Sequence, residues 1–327
     1  MFDDSLLDDP VALAVRGQQL QRLALTGARL RYEPPGEVAD VAAGLGEIRP
    51  RCVVVIGAEA RLVRAVAEPS SPIPLVAWPS ATLPAWTGPL DLVVVLAGAD
   101  DRLLPSCLEA LRRGALLLVV APRGSPLLDE FGPASALVTR DDDPLVSALL
   151  ALKMLDLLHL APSLDLGVVA DVFDAAAEEC GPRHELGSNP AKDLACALAD
   201  GIPLVCGGSA LAARAARRLA EAIREATGVP ALAADEEALR PLVIRSRPRD
   251  VFADPFEDAP GMGFCLLVLE DGQASSRQSD LTALAASRNV RVETISCTRG
   301  SPVVRYVGLL HRGLFAAAYL GLATIEG

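Results

Sequence analysis

The sequence predicts an α/β protein made of two doubly wound, parallel-sheet units, each a sheet sandwiched between helices. Three observations carry that expectation. Short uninterrupted apolar runs at 52–56, 92–96 and 115–121 read as strands buried on both faces. Each is followed by a turn and a helical segment, an alternation that gives parallel strands with right-handed crossovers. The alternation returns after residue 200, so the two halves read as a repeated architecture. Hydrophobic residues make up 51% of the 327, yet aromatics only 4%, so the core must be built from Ala, Leu and Val.

Residues 1–31 read as helix, most regular over 11–31, where Leu20, Leu23, Leu25 and Leu30 make an apolar side. The acidic start complements a helix N-terminus. Pro34, Pro35 and Gly36 end this segment, and 38–45 is a short helix. The first sheet then runs through a strand at 52–56, a helix at 58–67, a strand at 73–77 and a proline-rich loop at 78–89. A strand at 92–96, a helix at 103–113 capped by Gly114, a strand at 115–121 and a short strand at 136–139 complete it. Asp141, Asp142 and Asp143 cap a linking helix over 144–160. The Pro-containing stretch 161–165 is the expected boundary, giving domains at 1–160 and 161–327. The second half opens with a helix at 166–180 and a loop at 181–187. Asn189 and Pro190 then supply the N-cap and first residue of a helix reaching Asp200. A strand at 203–206, a helix at 209–227 and a short strand near 229–232 follow. Beyond a charged loop at 245–260 come a strand at 263–269, a helix at 278–288, a strand at 290–296 and a closing helix at 301–325.

The formal charge of −12 argues against nucleic acid as a partner, because a phosphate backbone demands a basic surface. It leaves room for a small anion, since a local nest of N–H groups can oppose the global field. The seven cysteines form no C-x-x-C pair and read as reduced thiols of a cytoplasmic protein. The acidic N-terminus lacks the pattern of a signal peptide. No membrane span is expected: the nearest approach, 303–325, is broken by Arg305, His311 and Arg312. No spacing suggests a metal site, and no cofactor is expected.

Four turns fall at the carboxyl ends of expected strands, where open α/β sheets bind ligands. Gly207-Gly208-Ser209 is the best formed: the glycines allow close backbone approach to a phosphate, Ser209 adds a hydroxyl, and a helix N-terminus follows. In the turn at 296–301, Thr298, Arg299 and Ser301 offer hydroxyls and a cation. The two first-half turns differ. Gly57-Ala58-Glu59 and the stretch from Ala97 through Gly98 and Ala99 to Asp100 and Asp101 bring negative charge. Any one such turn also reads as ordinary loop geometry, and none completes G-x-G-x-x-G. Among His159, His184 and His311, the first and last fall in apolar helices, which suits packing. His184 lies in a loop beside Arg183 and Glu185, so it is the available acid–base group. Glu225 ends a helix just before Gly228, a position unfavourable for the dipole; it reads as either a functional carboxylate or a solvated surface residue. Arg214, Arg217 and Arg218 share that helix.

These residues resemble the SIS-domain sugar-phosphate family, and most closely its bifunctional phosphoglucose/phosphomannose isomerases and their actinobacterial TobH-like branch. The run from Asp91 to Ala121, with Arg113-Gly114-Ala115 before its last strand, is similar to the SIS framework. Asn189-Pro190-Ala191-Lys192 with Leu194-Ala195 resembles N-x-A-K-x-L-A. The stretch from Arg224 to Ala231 resembles E-N-A-K-x-P-A, placing Glu225 on the family's catalytic glutamate. Gly313 through Tyr319 and Leu320 resembles the closing helix.

The resemblance implies a homodimer and a carboxylate that moves a proton between C1 and C2 of an open-chain hexose phosphate, with a histidine assisting ring opening and Ser/Thr hydroxyls holding the phosphate. The chain departs from that pattern. Where the family has S-Y-S-G-N-T, Leu96 is followed by Ala97, Gly98, Ala99, Asp100 and Asp101; where it has G-G-S, this chain has Gly57-Ala58-Glu59. The histidine expected after Glu225 and the C-terminal lysine have no counterpart. Two readings follow: a glucose/mannose/fructose 6-phosphate isomerase-like protein, or a non-catalytic SIS protein that binds a sugar phosphate or a protein partner. The expected phosphate-binding residues are Gly207, Gly208, Ser209, Thr298 and Ser301, the catalytic ones Glu225 and His184, and the degenerate loop Gly57, Gly98, Asp100 and Asp101.

Overall fold

Five parallel strands form the first sheet: β1 (Cys52–Gly57), β2 (Leu75–Trp78), β3 (Asp91–Leu96), β4 (Leu116–Pro122) and β5 (Ala136–Thr139). The computed structural model describes all residues except 1, 34, 47, 132–135, 247–262, 274–275 and 325–327, so most of the charged loop expected at 245–260 lies outside the described residues. The strand order is β2-β1-β3-β4-β5. The chain leaves β1 to one side for β2 and returns on the other side at β3, which puts the topological switch point between β1 and β3. All six residues of β3 are buried, as a strand covered on both faces requires. Val54, Ile56, Val93, Val95 and Val119 make one core layer, with Leu83 and Phe131 closing it.

Helices α1 (Pro10–Arg16), α2 (Gln18–Ala24), α3 (Thr26–Tyr32) and α4 (Pro35–Leu45) precede the sheet. The helix expected over 1–31 is observed from Pro10 onward, interrupted at Gly17 and Leu25, and is preceded only by a short 3-10 turn at Asp4–Leu7. Helices α5 (Ala60–Ala67), α6 (Leu104–Arg112), α7 (Pro126–Glu130) and α8 (Pro144–Leu157) connect and follow the strands. His159, expected inside the linking helix, instead lies just beyond its end with φ +58°, a left-handed residue closing α8.

The second half contains α9 (Leu166–Cys180), α10 (Pro190–Ala199), β6 (Ile202–Gly207), α11 (Ala210–Thr227), β7 (Leu232–Ala233), α12 (Glu236–Arg245), β8 (Phe264–Glu270), α13 (Ser276–Ser287), β9 (Arg291–Ser296) and α14 (Pro302–Ala323). Its sheet is parallel, with the order β7-β6-β8-β9. Here the switch point lies between β6 and β8. Cys206 and Cys265 are buried side chains of these strands, and burial pushes both thiols up to about 12, as suits cysteine used as a small apolar residue.

The chain divides into two compact units, Ala28–Ala170 and Met1–Gly27 with Asp171–Gly327. The first 27 residues therefore group with the second sheet, whereas the order of the sequence placed them with the first. The reason is a set of distant partners. The Asp3 amide donates to the Ala323 carbonyl at 2.9 Å. Arg16 donates to the Leu322 carbonyl at 3.2 Å. The fully buried Lys192 donates to Asp8 Oδ1 at 2.6 Å.

Helix α14 is the one helix among the described residues with the length and hydropathy to cross a bilayer, and 83% of its most apolar window is buried inside the protein. Its His311 is 1% exposed and sits edge-on between Phe173 and Phe315. Its Nε2 lies 3.0 Å from the Leu23 carbonyl, which defines Nε2–H as the donor of the neutral ring. Burial holds its pKa down at about 4. The unfolded chain, titrating near 6.5, takes up the proton first. Stability should thus fall as pH drops from about 6.5 towards 4, by up to about 3 kcal/mol for this group. Urea titrations at pH 7 and pH 5, compared with His311→Phe, check it. An unchanged pH slope in the variant refutes the assignment.

Candidate functional site

The carboxyl edge of the first sheet opens into a pocket of about 680 Å³ at the switch point between β1 and β3. Gly57 and Ala58 come from the end of β1, Trp78 and Ser80 from the end of β2, and Gly98, Ala99, Asp100 and Arg102 from the turn after β3; Asp142 and Ser147 reach in from the start of α8. Gly57 has φ +113°, and a Cβ there would overlap the Leu96 carbonyl. Its glycine thus lets the ends of β1 and β3 approach, a packing role that needs no ligand.

The turn after β3 is held by its own side chains. Arg102 Nε donates to Asp100 Oδ2 at 2.7 Å, and the Arg102 amide donates to Asp100 Oδ1 at 3.1 Å. These bonds, the guanidinium first, hold the Asp100 carboxyl below its usual range. Asp101 is exposed, and its carbonyl accepts from the Leu104 amide at 2.9 Å. Ser125 Oγ donates to the Gly98 carbonyl at 3.1 Å, and the Ala99 amide donates to Asp142 Oδ2 at 3.3 Å. The three aspartates read together as a cap separate here: Asp143 caps α8 through the Leu145 and Val146 amides, Asp141 pairs with Arg29 at 3.3 Å, and Asp142 turns to the loop.

At the second switch point Ser209 N-caps α11, accepting from the Ala212 amide at 3.0 Å, and its hydroxyl donates to Asp271 Oδ2 at 2.6 Å. Asp271, just past β8, is 3% exposed, and its other oxygen accepts from the Gln273 amide at 3.2 Å. Gly207 packs on α11, where a Cβ would overlap the Ala212 backbone; Gly208 is exposed. Thr298 lies against Gly272, whose φ is +81°. Ser301 caps α14 through the Val304 amide at 3.3 Å, and Arg305 donates to the Asp271 carbonyl at 2.8 Å. Ser209, Thr298 and Ser301 thus share one carboxyl edge with Asp271, and Ser209 spends its donor on that carboxylate.

Glu225 and His184 are placed differently. Glu225 lies in the last turn of α11, its side chain 71% exposed, with Arg218 Nη1 at 3.8 Å. Gly228 closes the helix with φ +68°. His184 is exposed in the turn that begins at Gly181. Among the described residues, no histidine is hydrogen-bonded to Glu225. Sequence reasoning missed Asp271 and Asp142 at the strand ends. Asp271 carried a signal, being an acid directly after an apolar strand. Asp142 did not, because a helix-cap reading already accounted for it.

This fold, two parallel-sheet units flanked by helices, is the SIS fold of phosphosugar isomerases. Residues 187–325, less than half of the chain, match the model of the bacterial phospho-glucose isomerase C-terminal SIS domain. The chain is similar to tagatose-6-phosphate ketose/aldose isomerase from Escherichia coli, with a TM-score of 0.71 at 14% identity over 94% of each chain. It is also similar to a glucose-6-phosphate isomerase like protein from Thermus thermophilus, with a TM-score of 0.58 at 18% identity, covering 97% of this chain and 92% of that one. The C-terminal domain of glucosamine-fructose-6-phosphate aminotransferase from Francisella tularensis gives a TM-score of 0.65 at 10% identity, covering 93% and 94%. No curated protein matches.

Proposed function

We propose that this chain is an SIS-fold protein that binds a sugar or sugar derivative in the first-unit pocket without isomerising it. The observation that carries this is the pairing of a formed pocket of about 680 Å³ at the β1/β3 switch point with a Glu225 that is 71% exposed. Open α/β sheets place ligands at that point, and the volume suits a small polar molecule. Proton transfer between adjacent carbons needs a carboxylate within hydrogen-bond reach of the reacting centre and a partner acid. Glu225 has Arg218 beside it, and among the described residues no histidine is hydrogen-bonded to it.

A second reading, isomerisation of glucose, mannose or fructose 6-phosphate through Glu225, is favoured by the family match over 187–325, which includes Glu225. Both readings carry the expectation of a cytoplasmic homodimer.

Calorimetry and turnover assays with the three hexose 6-phosphates, glucose and glucosamine separate the readings. Binding without interconversion is the expected result. Interconversion that disappears in Glu225→Gln overturns the non-catalytic reading and establishes the isomerase. Binding of none of them overturns both.

A further inference from the structure

Resting on that reading of the first-unit pocket, we infer that Asp142 is a built-in anion on its loop, so that the pocket excludes phosphate and takes a sugar without an anionic group, either uncharged or amine-bearing. The loop after a strand at a switch point holds anions by turning free N–H groups outward. Here the Ala99 N–H points to Asp142 Oδ2 at 3.3 Å. The same carboxylate lies over Gly98, its two oxygens 3.5 and 3.8 Å from where a Cβ on that glycine would stand. Gly98 contributes no side chain to interpose, and its carbonyl is engaged by Ser125 Oγ. The loop's amide therefore already has its charged acceptor.

The neighbouring cation does not reverse this. Arg102 is 83% exposed and is held by Asp100, so the guanidinium is already paired with a carboxylate of its own loop. An entering phosphate would have to displace Asp142 from the Ala99 amide and then stand beside it, where like charges disfavour each other. A hydroxyl or an ammonium group meets the opposite situation: it donates to Asp142 without competing for the amide. The cavity of about 680 Å³ has room for a monosaccharide. The second unit repeats the arrangement with a different residue, since Ser209 donates to Asp271 where an anion's oxygen would otherwise be sought.

Titration calorimetry with inorganic phosphate, glucose 6-phosphate, glucose and glucosamine, on wild type, Asp142→Asn and Asp142→Ala, tests the inference. Asp142→Asn removes the charge and keeps an acceptor for Ala99, so it controls for a loop disturbed in Asp142→Ala. Wild type should bind glucose 6-phosphate at least about tenfold more weakly than glucose or glucosamine, and Asp142→Ala should tighten glucose 6-phosphate and inorganic phosphate by about tenfold. Glucosamine should weaken in both variants. Wild type binding glucose 6-phosphate as tightly as glucose overturns the inference, and so does a failure of both variants to gain phosphate. Wild type binding no sugar while Asp142→Ala gains phosphate overturns the proposed function but supports the role of Asp142.

Discussion

Gly57→Ala should unfold the first unit at markedly lower denaturant, at a cost of roughly 3 kcal/mol or more. Two effects add. The φ of +113° lies in a region that an L side chain rarely occupies, and the new methyl would overlap the Leu96 carbonyl. Leu96 pairs with Gly57 at the last register position of β1 and β3, so the overlap cannot be relieved by a side-chain rotation. The two strand ends must part at the switch point, where the pocket opens. Chemical denaturation should show the loss, and sugar binding should weaken in the fraction that remains folded. A loss below about 1 kcal/mol would mean that the strand ends move freely and that the pocket floor is not rigid.

The second large effect is expected at Asp8. Lys192 is 0% exposed, its ammonium 2.6 Å from Asp8 Oδ1 and 5.4 Å from the centre of the Tyr319 ring. Tyr319 in turn donates to the Cys180 carbonyl at 2.9 Å, and Asn189 donates to the same carbonyl at 3.1 Å. Asp8→Ala leaves a buried ammonium without its carboxylate. That costs about 3–5 kcal/mol for a fully buried pair, and about 2–3 kcal/mol here because the Asp8 side chain is 42% exposed. Lys192→Met replaces both charge and desolvation with an apolar chain of similar length, so it should be near neutral, and Asp8→Ala should cost little in its background. Equal losses in both backgrounds would show that the two residues do not act as a pair. The pair also sets a pH dependence. The hydrogen bond from Lys192 lowers the Asp8 pKa below its usual value. Its contribution is therefore present above the ordinary carboxylate range and is lost as pH falls through the lowered pKa.

The strands were readable because burial on both faces demands unbroken apolar runs, and these are local in sequence. Strands β1, β3, β4, β8 and β9 lie within a residue or two of their expected limits. The weaker features were read less well. The strand near 229–232 is found as the two residues Leu232–Ala233, paired with Leu204 and Val205. Helix α7, between the strands expected at 115–121 and 136–139, was not anticipated; it is five residues long and starts at Pro126. The turns that gather Ser209, Thr298 and Ser301 at one edge were visible as glycine and hydroxyl residues after strands. Their hydrogen-bond partners were not: Ser209 meets Asp271 across 62 residues, and Ala99 meets Asp142 across 43.

By itself the sequence determined the α/β class, the repeated parallel sheets and the positions of the strand ends, because hydrophobic period, helix caps and glycine turns are written within a few residues of where they act. Tertiary structure alone decided three things. The first 27 residues group with the second sheet because Lys192 and the end of α14 supply their partners. Glu225 stands exposed at a helix end. One donor at each switch point, the Ala99 amide and the Ser209 hydroxyl, is met by a carboxylate of the chain itself, since a side chain's charge is local information but the group it meets is chosen by the fold.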